Sequence, residues 1–173
     1  MKHGGGIVLE TLYSPWRMAY INSAGKPSGC IFCEFPKRDE DEALLILHRG
    51  KTCFVIMNAF PYNPGHLMVV PYRHVADYEN LSDEELLEMH RLAGDCIGAI
   101  KTAMSPHGFN MGVNLGKTAG AGVDGHVHLH VVPRWNGDTN FTTVVGQTRV
   151  LPEALPVTWA RLREALAVRE RGA

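Results

Sequence analysis

Short apolar runs separated by turn-forming residues dominate the first half of the chain. Residues 44–48 and 52–57 are apolar and rich in β-branched side chains, and the segment between them, Arg49-Gly50-Lys51, has the length of a hairpin turn. A link rich in Pro and Gly, 60–65, precedes a third run, HLMVVPY. Runs of this length bounded by turn residues are typical of buried strands, so the pattern predicts three strands.

The pattern then becomes helical. Ser82, with Glu85 three residues later, forms a capping box of the kind that begins a helix. Ser105-Pro106-His107-Gly108 predicts the end of this helix. The apolar positions in between recur at helical spacing: Leu86, Met89, Ala93, Ile97 and Ile100.

Two further apolar runs, FNMGVNL and HVHLHVV, predict strands on either side of a glycine-rich loop, and residues 157–170 predict a C-terminal helix. Strands outnumber helices, and the links between them are mostly short. The predicted fold class is therefore α+β, with an antiparallel sheet of about five strands, one long central helix and a C-terminal helix.

Length and composition indicate an ordinary globular protein. The 173 residues fit a single domain, for which we expect an extended arm at 1–29, a core at 30–135 and a C-terminal extension at 136–173. The formal net charge of −1 provides no broad basic surface for nucleic acid or an acidic membrane, so an anionic ligand must be bound locally. No apolar run is long enough for a membrane helix, and the first ten residues lack the apolar stretch of a secretory signal.

The four cysteines are too few for a disulfide scaffold. Cys30 and Cys33 form a C-x-x-C motif, which in a reducing compartment indicates metal or redox chemistry, and the cytoplasm is the expected location. Cys53 and Cys96 lie among apolar residues, and we expect them to be core residues.

The candidate chemistry lies in three alternating histidines, His126, His128 and His130. On a strand, alternate residues point to the same face, so the three rings form a row. A row of imidazoles away from water is difficult to satisfy by core packing, because each ring has two nitrogens that need partners. The spacing fits a metal site and a catalytic row equally well, and both alternatives stay open at this point.

The loop before this row is a candidate phosphate site. It contains Gly116, Gly120 and Gly122, whose backbone N–H groups can approach an anion, and one cation, Lys117.

The stretch His126-Val127-His128-Leu129-His130-Val131-Val132 resembles the signature of the histidine triad superfamily. Asn58 and His66, in NAFPYNPGH, resemble the ribose-binding Asn and the N-P-G-H histidine of that family. Asn114 resembles its Asn or Gln near the substrate phosphates, and Cys30-Ile31-Phe32-Cys33 resembles the zinc knuckle of bacterial members. Together these features cover roughly residues 30–135.

Two further segments resemble the branch of the superfamily that cleaves diadenosine polyphosphates, in particular bacterial diadenosine tetraphosphate phosphorylases. They are SPWRMAYI in the arm and residues 133–141 after the triad. This resemblance implies contact of Trp135 with a base or nucleotide, whereas a tryptophan directly after Pro-Arg that follows a strand is more often structural, and both roles stay open. The chain departs from the family at Ala121-Gly122, where a Gln or Ser often donates to phosphate, so phosphate contacts there would fall to backbone amides.

The resemblance implies a mechanism. His128 would attack the α-phosphorus and form a nucleotidyl–histidine, with its other ring nitrogen held by the main-chain carbonyl of His126. His130 and His66 would line the phosphate as donors. The second step would transfer the nucleotidyl group to water or to orthophosphate, and phosphorolysis of diadenosine tetraphosphate would give ADP and ATP.

The resemblance also implies a structural zinc ion and a homodimer whose sheet continues across the two-fold axis. A C-x-x-C motif supplies only two of the four ligands of such an ion, and the sequence alone does not choose the others. By resemblance they are His74 and His126, which leaves His128 and His130 for chemistry.

Three other functions remain open from the sequence. They are hydrolysis of adenosine 5′-phosphoramidates, nucleotide binding by a zinc-containing adaptor without turnover, and hydrolysis by a catalytic zinc bound to the triad itself. Phe32, Phe54 and Ile56 are candidates for a base pocket, although core packing is the more ordinary role for each.

Overall fold

The computed structural model describes residues 29–138 and 151–172. The predicted arm, including SPWRMAYI, therefore lies outside the described residues apart from residue 29, and so do residues 139–141 of the segment after the triad. No helix in the described ranges is both long and apolar enough to cross a membrane.

The described chain begins with two short helices, continues with three strands, the longest helix and two more strands, and ends in a C-terminal helix. The strands are β1 (Ile46–Arg49), β2 (Cys53–Met57), β3 (Leu67–Pro71), β4 (Gly108–Val113) and β5 (Leu129–Arg134). The α-helices are α1 (Ile31–Glu34), α2 (Asp41–Leu44), α3 (Asp83–Met104) and α4 (Leu155–Gly172). Single 3₁₀ turns occupy Phe35–Lys37, Tyr78–Asn80 and Lys117–Ala119.

All strands join one antiparallel sheet in the order β1-β2-β3-β5-β4. His130 of β5 pairs with Met68 of β3 on one side and with Gly112 of β4 on the other. The predicted α+β fold, with about five antiparallel strands, one long helix and a C-terminal helix, is confirmed.

Side-chain alternation divides the sheet into two faces. On one face Val55, Leu129 and Val131 pack with α3 and α4 in the main hydrophobic core. On the other, Phe54 and Ile56 join a smaller cluster with the residues of α1. Cys53 and Cys96 are fully buried in the main core, in agreement with the sequence prediction.

Helix α3 begins as its sequence predicts. The Ser82 hydroxyl accepts a hydrogen bond from the Glu85 N–H, and the Ser82 N–H donates to the Glu85 carboxylate. The helix ends at Ser105, which has a left-handed backbone with φ of 50°.

Two predicted strand boundaries are corrected by the structure. The first strand begins at Ile46 instead of residue 44, because Leu44 belongs to α2 and Leu45 ends that helix with φ of 63°. The triad strand begins at Leu129 instead of His126. Extrapolating the β3–β5 register puts Pro71 opposite Val127, and because proline has no N–H the ladder cannot continue there; the Val127 N–H donates instead to the Val75 carbonyl.

Candidate active site and metal cluster

His128 and His130 are buried and line a cavity of about 480 Å³ on the sheet face away from α3. The cavity also contacts α1 and α2, because the short helices before β1 fold over this face. Its apolar wall includes Ile31, Phe32, Phe35, Leu44, Leu45, Ile56, Met68 and Val123. A concave, mostly apolar cavity with a few polar groups is the usual form of a small-molecule site.

The main chain fixes the tautomer of His128. Its Nδ1 lies 2.8 Å from the His126 carbonyl oxygen, the group that the sequence analysis expects there. A carbonyl can only accept, so Nδ1 carries the proton and Nε2 carries the lone pair. Burial lowers the pKa of His128, which keeps the ring neutral and therefore nucleophilic at neutral pH.

A second hydrogen-bonded chain fixes the tautomer of His130. The Tyr62 backbone N–H donates to His66 Nδ1 at 3.1 Å, so the proton of His66 is on Nε2. His66 Nε2 lies 2.9 Å from His130 Nδ1 and donates to it. The proton of neutral His130 is therefore on Nε2.

His130 Nε2 is a buried donor with no hydrogen-bond acceptor among the described residues. Burial, with a smaller effect of His128, lowers the pKa of His130 to about 4, so the ring is neutral at physiological pH. A buried donor without a partner costs on the order of 1–3 kcal/mol, and a phosphoryl oxygen in the cavity would remove that cost.

His66 is fully buried and lines neither this cavity nor its smaller neighbour. From the sequence we expect His66 to line the phosphate, but it lies behind His130 because its ring is held between the Tyr62 N–H and His130 Nδ1. Asn58, in contrast, lines the larger cavity, with its amide nitrogen 3.4 Å from His66 Nδ1.

Only part of the glycine loop lines the larger cavity. Gly120 and Gly122 line the larger cavity, and Gly120 has φ of 95°, a conformation suited to glycine. Lys117 lines neither cavity: its side chain is 82% exposed and faces Asp124 at 3.7 Å. Asn114 lines a smaller, neighbouring cavity of about 260 Å³.

The apolar and aromatic residues that we expect to contact the base lie in different places. Phe32 and Ile56 line the larger cavity, and the Phe32 ring lies 5.1 Å from that of His128. Phe54 is fully buried and stacks on Tyr72, so it is a core residue. Trp135 is half-buried and lines neither cavity.

The smaller cavity contains residues that the sequence analysis did not single out. Tyr62 and His130 line both cavities, and Asn110, Arg134 and Asp138 line the smaller one. Tyr62 lies in the same NAFPYNPGH segment as His66, which was a usable signal. Nothing local marks Asn110, because its role depends on the pairing of β4 with β5.

The four predicted metal ligands converge. The ligand atoms of Cys30, Cys33, His74 and His126 all lie within 4.8 Å of one another. His126 Nδ1 is 3.2 Å from Cys30 Sγ and 3.5 Å from Cys33 Sγ, and His74 Nδ1 is 3.3 Å from Cys33 Sγ. Two thiols and two imidazoles in this arrangement could bind a metal ion.

The chemistry of the donors fits a metal. His126 Nε2 donates to the Pro71 carbonyl at 2.9 Å, so Nδ1 presents its lone pair to the two sulfurs. A main-chain carbonyl behind a ligating imidazole is the usual support of such a ring. Burial and the adjacent Cys30 raise the pKa of the Cys33 thiol, and a bound cation would oppose both effects.

This arrangement divides the triad. Within the described residues, His128 and His130 belong to no group of three or more potential metal ligands, and His126 belongs to the cysteine cluster. The alternative of a metal bound by the triad itself therefore has no support from the geometry.

A family model described as "HIT domain" matches residues 39–137. An AP-4-A phosphorylase of Mycobacterium tuberculosis is 43% identical over 169 residues, which cover 88% of this chain and 86% of the relative. An adenosine 5′-monophosphoramidase of Schizosaccharomyces pombe is 31% identical over 107 residues, 62% of this chain and 75% of that protein.

Among solved structures, a Zn-bound histidine triad family protein from Mycobacterium smegmatis superposes with a TM-score of 0.68 at 26% identity. The match covers 84% of this chain and 98% of that one.

Proposed function

The chain belongs to the HIT domain family, and we propose that it cleaves dinucleoside polyphosphates, with diadenosine tetraphosphate as the substrate, through a nucleotidyl–histidine intermediate. The observation that carries this proposal is the pair of buried rings in one cavity, one with a lone pair on Nε2 of His128 and the other with a proton on Nε2 of His130. Such a pair can attack a phosphorus atom and donate to the oxygens around it.

In the first step His128 Nε2 attacks the α-phosphorus. The N–P bond forms, the bond from phosphorus to the bridging oxygen breaks, and its electron pair leaves on that oxygen with the departing ATP. The ring then carries positive charge, which the His126 carbonyl stabilises through the Nδ1–H at 2.8 Å. His130 Nε2–H donates to the phosphate oxygens, which gain charge in the transition state.

In the second step orthophosphate attacks the same phosphorus. The new O–P bond forms as the N–P bond breaks, the electron pair returns to His128, and the product is ADP. Water in the same role would give AMP. The resemblance to an AP-4-A phosphorylase supports phosphate as the acceptor.

Substrate binding follows from the walls of the larger cavity. Phe32 and Ile56 would contact the base, and Asn58 would bind the ribose. Gly120 and Gly122 would supply backbone amides to the phosphates, and Asn114 would contact them from the smaller cavity. In this arrangement Lys117 contributes charge at a distance instead of a direct contact.

The metal of the cysteine cluster is zinc in this proposal, bound by Cys30, Cys33, His74 and His126, with a structural role. The Zn-bound structural relative supports this choice. Thiolate ligands need a reducing compartment, which is consistent with the cytoplasm. A homodimer through β4 is part of the proposal, since β4 is an edge strand of the sheet that the described residues form and Met111 on it is 44% exposed.

The test is a product assay. Diadenosine tetraphosphate is incubated with the zinc-loaded protein, with and without millimolar orthophosphate, and nucleotides are separated by chromatography. ADP and ATP in equal amounts at saturating phosphate are expected. AMP plus ATP under these conditions would make the protein a hydrolase, and no cleavage at all would overturn the proposed function.

A further inference from the structure

Two cavities meet at His130. The larger includes His128 in its wall, whereas the smaller does not. The Tyr62 ring lies at the boundary, with its centroid 5.9 Å from that of His130 at an interplanar angle of 28°. A ligand bonded to His128 must therefore begin in the larger cavity, and it can extend past His130 into the smaller one.

Several residues in the wall of the smaller cavity are polar and form a hydrogen-bonded network. Arg134 donates through Nε and Nη2 to the Asp138 carboxylate at 2.6 and 2.9 Å, and through Nη1 to Asn110 Oδ1 at 2.8 Å. Asp138 also accepts from Asn63 at 2.8 Å. The Arg134 guanidinium holds the pKa of Asp138 well below its usual range, so the carboxylate is ionised and its charge is matched.

This network fixes the orientation of the Asn110 amide. Because Asn110 Oδ1 accepts from Arg134, its amide nitrogen is the group left to face a ligand. Asn114 adds a second amide to the wall, and the Arg134 side chain is 44% exposed. Amides and a guanidinium together match the oxygens of a polyphosphate.

We propose that the smaller cavity binds the nucleotide that departs in the first step, with Arg134, Asn110 and Asn114 binding its phosphates. This inference rests on the proposed function, because it gives a location to the half of the substrate that His128 does not retain. The independent observation is that the His130 Nε2–H has no acceptor among the described residues. The His130 ring is only 7% exposed, and it belongs to the wall of both cavities.

The bridging oxygen is the natural acceptor of that donor. As the bond from phosphorus to this oxygen breaks, the electron pair stays on the oxygen, and the His130 hydrogen bond stabilises the charge without a proton transfer. Once the nucleotide has left, the same donors can hold orthophosphate for attack from that side. The smaller cavity then serves the leaving group and the acceptor in turn.

The test compares two substrates that share the adenylyl group. Diadenosine tetraphosphate would fill the smaller cavity, whereas adenosine 5′-phosphoramidate, with ammonia as its leaving group, would not. Arg134→Gln should raise KM for the tetraphosphate about fivefold to tenfold, the size expected for an exposed charge-assisted contact. The kinetics of the phosphoramidate should change less than about twofold.

Asn110→Asp is the second variant, and it keeps the acceptor for Arg134 while adding a negative charge to the cavity. Asn110→Asp should likewise raise KM for the tetraphosphate but not for the phosphoramidate. It is the informative variant if Arg134→Gln disturbs the turn in which Asp138 lies. Arg163→Gln, on an exposed position of α4, is the control for loss of one positive charge and should change neither substrate.

Equal effects on both substrates, or no effect on either, would overturn the role of the smaller cavity while leaving the proposed function intact. A wild-type protein that cleaves the phosphoramidate but not the tetraphosphate would overturn the proposed function and, with it, this role of the smaller cavity. Failure to cleave either substrate would instead overturn the chemistry assigned to His128.

Discussion

The histidines of the site differ in their chemistry because main-chain groups fix each ring. His126 donates to the Pro71 carbonyl, and His128 donates to the His126 carbonyl. His66 Nδ1 accepts a hydrogen bond from the Tyr62 N–H, and His66 Nε2 donates a hydrogen bond to His130 Nδ1. Backbone N–H and C=O groups cannot exchange roles, so the positions of the protons are set by the fold.

We expect His128→Ala to abolish turnover of diadenosine tetraphosphate while nucleotide affinity changes by less than about tenfold, because a nucleophile acts mainly in the transition state. Steady-state kinetics and calorimetry with a nonhydrolysable analogue measure the two effects. His90→Ala, an exposed histidine on α3, is the matched control and should retain full activity. Substantial turnover by the His128 variant would exclude it as the nucleophile.

His66 acts as a positioning residue, since it reaches the cavity only through His130. Replacement by Leu removes the donor to His130 Nδ1 and should lower kcat by about a hundredfold, the range associated with a lost transition-state donor. Gln can place an amide N–H near the position of Nε2, so His66→Gln should recover much of kcat. KM should change little in either variant, and equal losses of kcat in both would contradict the positioning role.

At the scale of elements, the metal cluster joins segments that are far apart in sequence. Cys30 and Cys33 belong to the turn at α1, His74 follows β3, and His126 precedes β5. The cluster thereby connects the first described helix to the strand of the triad, across 96 residues for Cys30 and His126. A metal there would restrain the wall that contains Phe32 against His128.

We expect one zinc per chain in protein purified without chelator. Cys33→Ser should lose this metal and should lower Tm clearly, since loss of a structural zinc commonly costs several kcal/mol. Elemental analysis and thermal denaturation measure the two quantities. Cys96→Ala, which removes a buried core thiol away from the cluster, is the control and should keep one zinc per chain even if Tm falls. Wild-type protein without zinc would contradict the assignment.

At the scale of the whole molecule, the sheet separates a hydrophobic core from a face of buried histidines. The hydrophobic core that the sheet forms with α3 and α4 stabilises the fold by burying apolar side chains, and this stabilisation does not depend on pH. The histidine face does depend on pH, because His128 and His130 are buried as neutral rings with lowered pKa values. Protonation of these rings favours the unfolded chain, where the charge is hydrated.

Stability should therefore fall as the pH decreases from about 6.5, the unfolded pKa of histidine, towards about 4, the pKa of folded His130. At pH values above this window, the contribution of the neutral histidines to stability is fully present. His130→Gln removes the titrating ring, so its stability should change less between pH 7 and 4.5, by about 2 kcal/mol. Urea denaturation of both proteins at several pH values measures this difference, and identical pH profiles would show that His130 does not titrate with folding.

Features that depend on local periodicity can be predicted from the sequence alone. The strands, α3 with its capping box, and the buried Cys53 and Cys96 follow from apolar spacing and turn residues, because neighbours in sequence are neighbours in these elements. Alternation also predicts that the triad histidines share one face. In the structure the rings of His126 and His128 both contact Phe32, and the His128 and His130 ring centroids are 4.8 Å apart, although β5 begins only at Leu129.

Which side chains meet across the fold follows from its three-dimensional arrangement. His66 lies behind His130, Lys117 lines neither cavity, and Asn110 enters a site through the pairing of β4 with β5. The cysteines themselves could not select His74 from the sequence, and the structure brings it to them from 41 residues away. Such contacts depend on strand register and loop paths, which fix distances in space that sequence separation does not encode.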